Sequence, residues 1–121
     1  MNPCLFLLAL LLACSSCEDW GAPTDPPRPF DAKVWSEVVA AELRYGLPQP
    51  RYAMLGDLRA NHLKRGMTRA EVVALLGPPD RPSGVALVDA YLVGCSVSDP
   101  ITLDCEYDAA GRLTGTWIVE H

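Results

Sequence analysis

The sequence predicts an α+β fold, with two to three N-terminal helices packed on a three-stranded antiparallel β-meander. Three observations carry that expectation. Apolar residues recur at helical spacing as far as Leu76. Gly77-Pro78-Pro79 then forbids any continuation of a helix. Beyond Pro82 the apolar period becomes two, the signature of half-buried strands. Helices on one face of such a sheet form a two-layer sandwich around one core.

Composition narrows what the fold can serve. The chain has 121 residues, five of them Cys, and a net charge of −5. An acidic balance argues against a nucleic-acid surface, which needs a basic stripe. It equally disfavours electrostatic docking on anionic lipid head groups. Five cysteines in a short chain fit an oxidising compartment better than a reducing one.

In chain order, Leu5 to Ala13 (LFLLALLLA) is an unbroken apolar run. It is too short for a membrane span, which needs about 20 residues, and has the length of a signal-peptide core. Leu11-Leu12-Ala13-Cys14 resembles a bacterial lipobox, in which the Cys sulfur receives a lipid. Residues 1–13 are therefore expected to be a lipoprotein signal peptide, and Cys14 the lipidated residue. Residues 14–29 are polar and rich in Pro, a composition that forms a stiff, extended tether. The folded domain is expected to span residues 30–121, roughly 90 residues and enough for one modest core.

Asp31 is a candidate N-cap, with Phe30 and Trp35 placed as a hydrophobic staple. Val34, Trp35, Val38, Val39, Ala41 and Tyr45 form an apolar stripe, so the first helix is expected to run to Gly46 and Pro48. A second helix is expected from Arg51 to Leu63, with Met54, Leu55, Leu58 and His62 on one side and His62 a partly buried structural residue. The third carries every boundary signal. Thr68 and Glu71 form a capping box, Met67 and Val72 a staple, and Val72, Leu75 and Leu76 one apolar face. Gly77 supplies the left-handed residue at its end.

Val85 to Val93 reads as the first strand. Ile101 to Tyr107 alternates, with Ile101, Leu103, Cys105 and Tyr107 facing one way and Thr102, Asp104 and Glu106 the other. Asp108-Ala-Ala-Gly111 reads as a hairpin turn. If the turn sets the register, Leu113, Gly115, Trp117 and Val119 face inward, with Cys105 opposite Gly115 and Leu103 opposite Trp117.

Gly66-Met67-Thr68, Glu71-Val72, Leu75-Leu76-Gly77-Pro78-Pro79-Asp80, Tyr91-Leu92-Val93-Gly94 and Tyr107-Asp108 with Gly111-Arg112 together make residues 51–120 resemble the SmpA/OmlA (BamE-like) small outer-membrane lipoproteins. The resemblance implies an ααβββ fold. It also implies a non-enzymatic role in which the domain contacts other envelope proteins, as the founding member does in assembling β-barrel proteins. The same fold resembles the repeated unit of a β-lactamase inhibitor protein. That leaves a second expectation: a periplasmic or secreted binder of a small ligand or an enzyme, which would need exposed aromatics among Tyr91, Tyr107 and Trp117.

No catalytic set is expected. His62 and His121 are the only histidines, no Cys-x-x-Cys or His-x-x-His spacing offers a zinc site, and no Gly-rich phosphate loop occurs. Asp89, Asp99, Asp104 and Asp108 fit solvated strand or turn positions. No cofactor and no metal are expected. The expected partners are envelope proteins, with the membrane reached through the lipid. Ser15 after Cys14 resembles the pattern of lipoproteins released to the outer membrane, facing the periplasm.

Cys95 and Cys105 are left as a candidate disulfide or two free thiols. A plain hairpin near Ser98 would put Cys95 beside Ile101, about 13 Å along the strand from Cys105. That exceeds the roughly 7 Å Cα separation a disulfide spans, so the bond requires an irregular loop from Gly94 to Pro100.

Overall fold

A computed structural model describes residues 23–39, 42–82 and 87–121. The leader, Cys14, Cys17 and Trp20 lie outside the described residues. Among the described residues no helix is long and apolar enough to cross a membrane.

The architecture is the expected α+β sandwich. Among the described residues three helices precede the sheet: α1 (Ala32–Glu37), α2 (Pro50–Asp57), which runs on into a π-type turn at Leu58–His62, and α3 (Arg69–Leu76). The sheet has four strands in the order β1 (Arg81–Pro82), β2 (Val88–Cys95), β3 (Pro100–Tyr107) and β4 (Leu113–Glu120), all antiparallel. The meander β2–β3–β4 was expected; the two-residue β1 on its far edge was not. Trp35, Met54, Leu58, Val72, Tyr91, Val93, Leu103 and Cys105 are fully buried between the layers.

α3 forms as its sequence signals require. The Thr68 hydroxyl accepts from the Glu71 N–H, Glu71 accepts from the Thr68 N–H, and Gly77 ends the helix at φ +83°. An eight-residue helix is unstable alone in water; burial of Val72 and Leu76 fastens it to the core. Trp35 Nε1 donates to the Leu76 carbonyl at 3.0 Å, which satisfies one of the free carbonyls at the end of α3.

α1 is shorter than the stripe predicted. Asp31 caps it by accepting from Lys33 and Val34, and Phe30 packs at 6.0 Å from Trp35, as expected. The helix stops at Glu37, however, and Val38 turns extended. Adjacent β-branched residues lose side-chain freedom in a helix, and of the stripe's described residues only Trp35 is buried. Val39 and Tyr45 are exposed, and Ala41 lies outside the described residues. Gly46 has φ +86° but closes a turn, not a helix.

Contacts also reach upstream of Phe30, where the domain boundary was expected. Arg28 N–H donates to the Ala53 carbonyl at 3.0 Å, and Asp25 accepts from the Gln49 N–H at 2.9 Å. Residues 23–29 thus lie against the start of α2.

The largest correction concerns β4. Tyr107 pairs with Leu113, but Glu106 pairs with Gly115, so Thr114 is an extra residue. A bulge of one residue reverses the side of everything beyond it. Cys105 lies opposite Thr116 and Leu103 opposite Ile118, where Gly115 and Trp117 were expected. Trp117 therefore stands opposite Asp104 on the face away from the helices.

Candidate interaction surface

Most polar groups buried in the core have a structural task; the Tyr107 hydroxyl, buried without a hydrogen-bond partner among the described residues, is an exception. Arg51 Nε donates to the Trp35 carbonyl at 2.9 Å, and Nη1 reaches Asp80 and the Leu92 carbonyl, each at 2.8 Å. Its guanidinium also lies 4.8 Å from the centre of the Trp35 ring, a cation–π contact. The Gln49 side-chain amide accepts from the Cys95 N–H and donates to the Cys95 carbonyl at 3.0 Å, so it pairs with the end of β2 as a strand would. Asp89, expected on a solvated face, is buried and pairs with Arg69. Thr102, also expected to face solvent, is fully buried in the central strand. Its hydroxyl donates to Asp104 at 2.7 Å and lies 2.9 Å from His121 Nε2. None of these residues was singled out from sequence as a site.

His62 is partly buried, as expected, with Nε2 3.1 Å from Asp57 and its ring 5.1 Å from Phe30. The Asp57 carboxyl is held below its ordinary range, first by the Phe30 N–H and then by Asn61.

Cys95 and Cys105 are both free thiols, not a disulfide. The reason is register. Ser96 and Asp99 close a tight turn, Cys95 pairs with Pro100, and the β2–β3 ladder runs on from there, shifting register only between Leu92 and Gly94. Five residues of strand, about 17 Å, then separate Pro100 from Cys105. The irregular loop that the bond would require does not form; the one irregularity in this hairpin lies between Leu92 and Gly94. Burial first, and the Asp89 and Asp104 charges next, push the Cys105 thiol up to about 12. A thiol held neutral in this way is a poor nucleophile at neutral pH.

Tyr91 and Tyr107 face the core, so they contribute nothing to an exposed aromatic patch. Tyr91 donates to the Gly77 carbonyl at 2.8 Å, and the Arg69 guanidinium sits 5.0 Å from the Tyr107 ring centre. Burial raises both phenol pKa values above the ordinary one. Among the described residues no group of three or more His, Cys, Asp or Glu is placed to hold a metal ion.

The exposed apolar surface of the sheet concentrates on β4. Trp117 is 59% exposed and Ile118 is 42% exposed, on opposite faces of the same edge strand. Trp117 Nε1 donates to Glu106 at 3.2 Å, which fixes the indole across the outer face, and Asp104 stands opposite it. A large aromatic anchor beside satisfied polar groups is the composition of binding hot spots. A second apolar feature is a groove lined by Pro26, Pro27, Val34, Pro48, Pro50 and Ala53.

No family model, curated protein or solved structure matches this chain.

Proposed function

We propose that this chain is a non-enzymatic protein-binding module of the bacterial envelope, carried on a lipid at Cys14 and facing the periplasm from the outer membrane. The observation that carries the binding part is the exposed Trp117 on an edge strand, held by Glu106. Aromatic residues bury much apolar area for little conformational entropy, which suits them to recognition. Leu11 to Cys14 and Ser15 support the anchor and its destination. The likeness to SmpA/OmlA lipoproteins supports envelope proteins as the partners.

Two measurements test this reading. Fatty-acid labelling should mark the wild type and not Cys14→Ala; label retained in the variant removes the anchor. A photo-cross-linking residue at Trp117 should capture other envelope proteins more strongly than one at Lys33, an exposed position on α1. Equal capture at both positions counts against the β4 surface.

A second reading, a periplasmic or secreted binder of a small ligand or an enzyme, gains from the same Trp117 and loses the two tyrosines, which are core. It fits the outcome in which Cys14→Ala changes neither labelling nor localisation.

A further inference from the structure

We infer that β4 pairs with β4 of a second copy of this chain, antiparallel and centred on Ile118, to make one continuous eight-stranded sheet. The inference holds wherever in the cell the protein resides.

The backbone of β4 defines the available edge. His121 N–H donates inward to the Pro100 carbonyl at 3.0 Å. On the opposite side the Thr116 carbonyl accepts from Arg59 Nη2 at 3.1 Å. Backbone groups alternate along a strand, so Thr116, Ile118 and Glu120 present theirs away from β3. Nearer the turn the same edge is closed. Gly66 N–H donates to the Leu113 carbonyl at 2.8 Å, and Leu113 N–H donates to the Met67 carbonyl at 2.7 Å. Beyond the Thr114 bulge the edge therefore runs to Glu120, with the Ile118 and Glu120 backbone groups open and the Thr116 carbonyl, which already accepts from Arg59, left one lone pair for an incoming strand.

An unpaired edge invites another strand, and proteins that avoid this place Lys, Pro or a bulge along it. Beyond the bulge this edge reads Gly-Thr-Trp-Ile-Val-Glu, with neither Lys nor Pro; its charges are Glu120 and the Arg59 guanidinium that lies on Thr116.

Self-pairing about Ile118 is complementary at each position. Ile118 meets Ile118 of the second copy, Trp117 meets Val119, and Thr116 meets Glu120. Aromatic and β-branched residues make favourable cross-strand pairs. Arg59 sits on Thr116, with Nε 3.1 Å from its hydroxyl. The incoming Glu120 would lie beside that guanidinium, on the helix-side face that Thr116 and Glu120 share. Glu120 forms no ion pair within its own chain among the described residues. Two-fold symmetry makes the Arg59–Glu120 contact twice.

Neighbouring registers are worse. Placing Ile118 opposite Thr116 of the second copy drives the end of the incoming strand onto Leu113, where Gly66 and Met67 already bond. Placing Ile118 opposite Glu120 sets an apolar side chain against a charge.

The test uses the full-length chain in nonionic detergent, followed by sedimentation equilibrium. The wild type should show concentration-dependent dimers. Arg59→Glu or Glu120→Arg should weaken them about tenfold, two symmetry-related contacts being lost at once, and the double reversal should restore them. In parallel, Ile118→Cys should cross-link to itself on mild oxidation, because directly opposite Cα atoms lie about 5.5 Å apart. Thr116→Cys should not, because the two Thr116 residues are offset by four positions. The wild type with its native cysteines sets the background. Four results overturn the inference: a wild type monomeric up to about 1 mM, a dimer indifferent to both charge reversals, cross-linking at Thr116→Cys equal to that at Ile118→Cys, and Ile118→Cys cross-linking only to other proteins.

Discussion

Arg69 grips Asp89 at two points, Nε to Oδ2 at 2.9 Å and Nη2 to Oδ1 at 2.8 Å, and so ties the first turn of α3 to β2. Asp89 is buried, whereas the Arg69 side chain is 42% exposed. Planar two-point geometry is the strong form of this pair, and solvent on the Arg side tempers its worth. Asp89→Ala should cost about 1–3 kcal/mol in chemical denaturation, since a charged hydrogen bond is lost. The double variant with Arg69→Ala should cost less than the sum of the two singles. Additive losses would show that the pair is not coupled.

Leu76, with Val72, fastens α3 to the core, and its carbonyl receives the Trp35 indole. Leu76→Ala keeps that carbonyl and removes only buried methyl groups. It should cost roughly 2–5 kcal/mol, much of what a domain of this size possesses. An unchanged unfolding midpoint would mean that α3 is not part of the cooperative core.

α3 was legible in the sequence because every one of its signals is local: cap, box, staple and terminating Gly lie within eleven residues, Met67 to Gly77. The Asp108–Gly111 turn was legible for the same reason, and Gly111 does take φ +79°. The candidate surface was harder to read. One unpaired residue, Thr114, decides whether Trp117 is core or surface, and nothing in its residue type announces a bulge. α1 was over-extended because a stripe of apolar residues says nothing about whether a neighbour exists to cover it. Gln49 and Arg51 carry no local signal of their roles, because their partners, Cys95 and Leu92, lie 46 and 41 residues away. Long-range pairings of this kind leave no trace in spacing.

Gly94 and Gln49 yield a prediction that follows from that distance. A Cβ on Gly94 would meet Gln49 Oε1 at 2.5 Å, with Pro23 and Tyr52 both at 3.4 Å. Gly94→Ala should therefore displace the Gln49 amide from Cys95 and destabilise by about 1–3 kcal/mol, the cost of buried polar groups left unpaired. In a Gln49→Ala background the same substitution should cost distinctly less. An equal cost in both backgrounds would assign the strain to Pro23 or Tyr52 instead.

The thiols supply the last prediction. Cys105 is fully buried and its thiol is pushed up to about 12, whereas Cys95 is only partly buried. In native protein at about pH 8, close to the ordinary thiol value, iodoacetamide should alkylate Cys95 without reductant and leave Cys105 untouched until the chain unfolds. The same shift links stability to pH. The unfolded thiol loses its proton near pH 8.5 to 9, while the folded one keeps it to about 12. Across that window the unfolded state binds fewer protons, so stability should fall as pH rises. Buried Tyr91 and Tyr107, raised above their ordinary value, add to the loss at the upper end. Cys105→Ala should flatten the slope that begins near pH 9 and leave the later part due to the tyrosines. A slope unchanged by that substitution, or a Cys95–Cys105 cross-linked peptide in unreduced protein, would overturn the assignment of Cys105 as a buried neutral thiol.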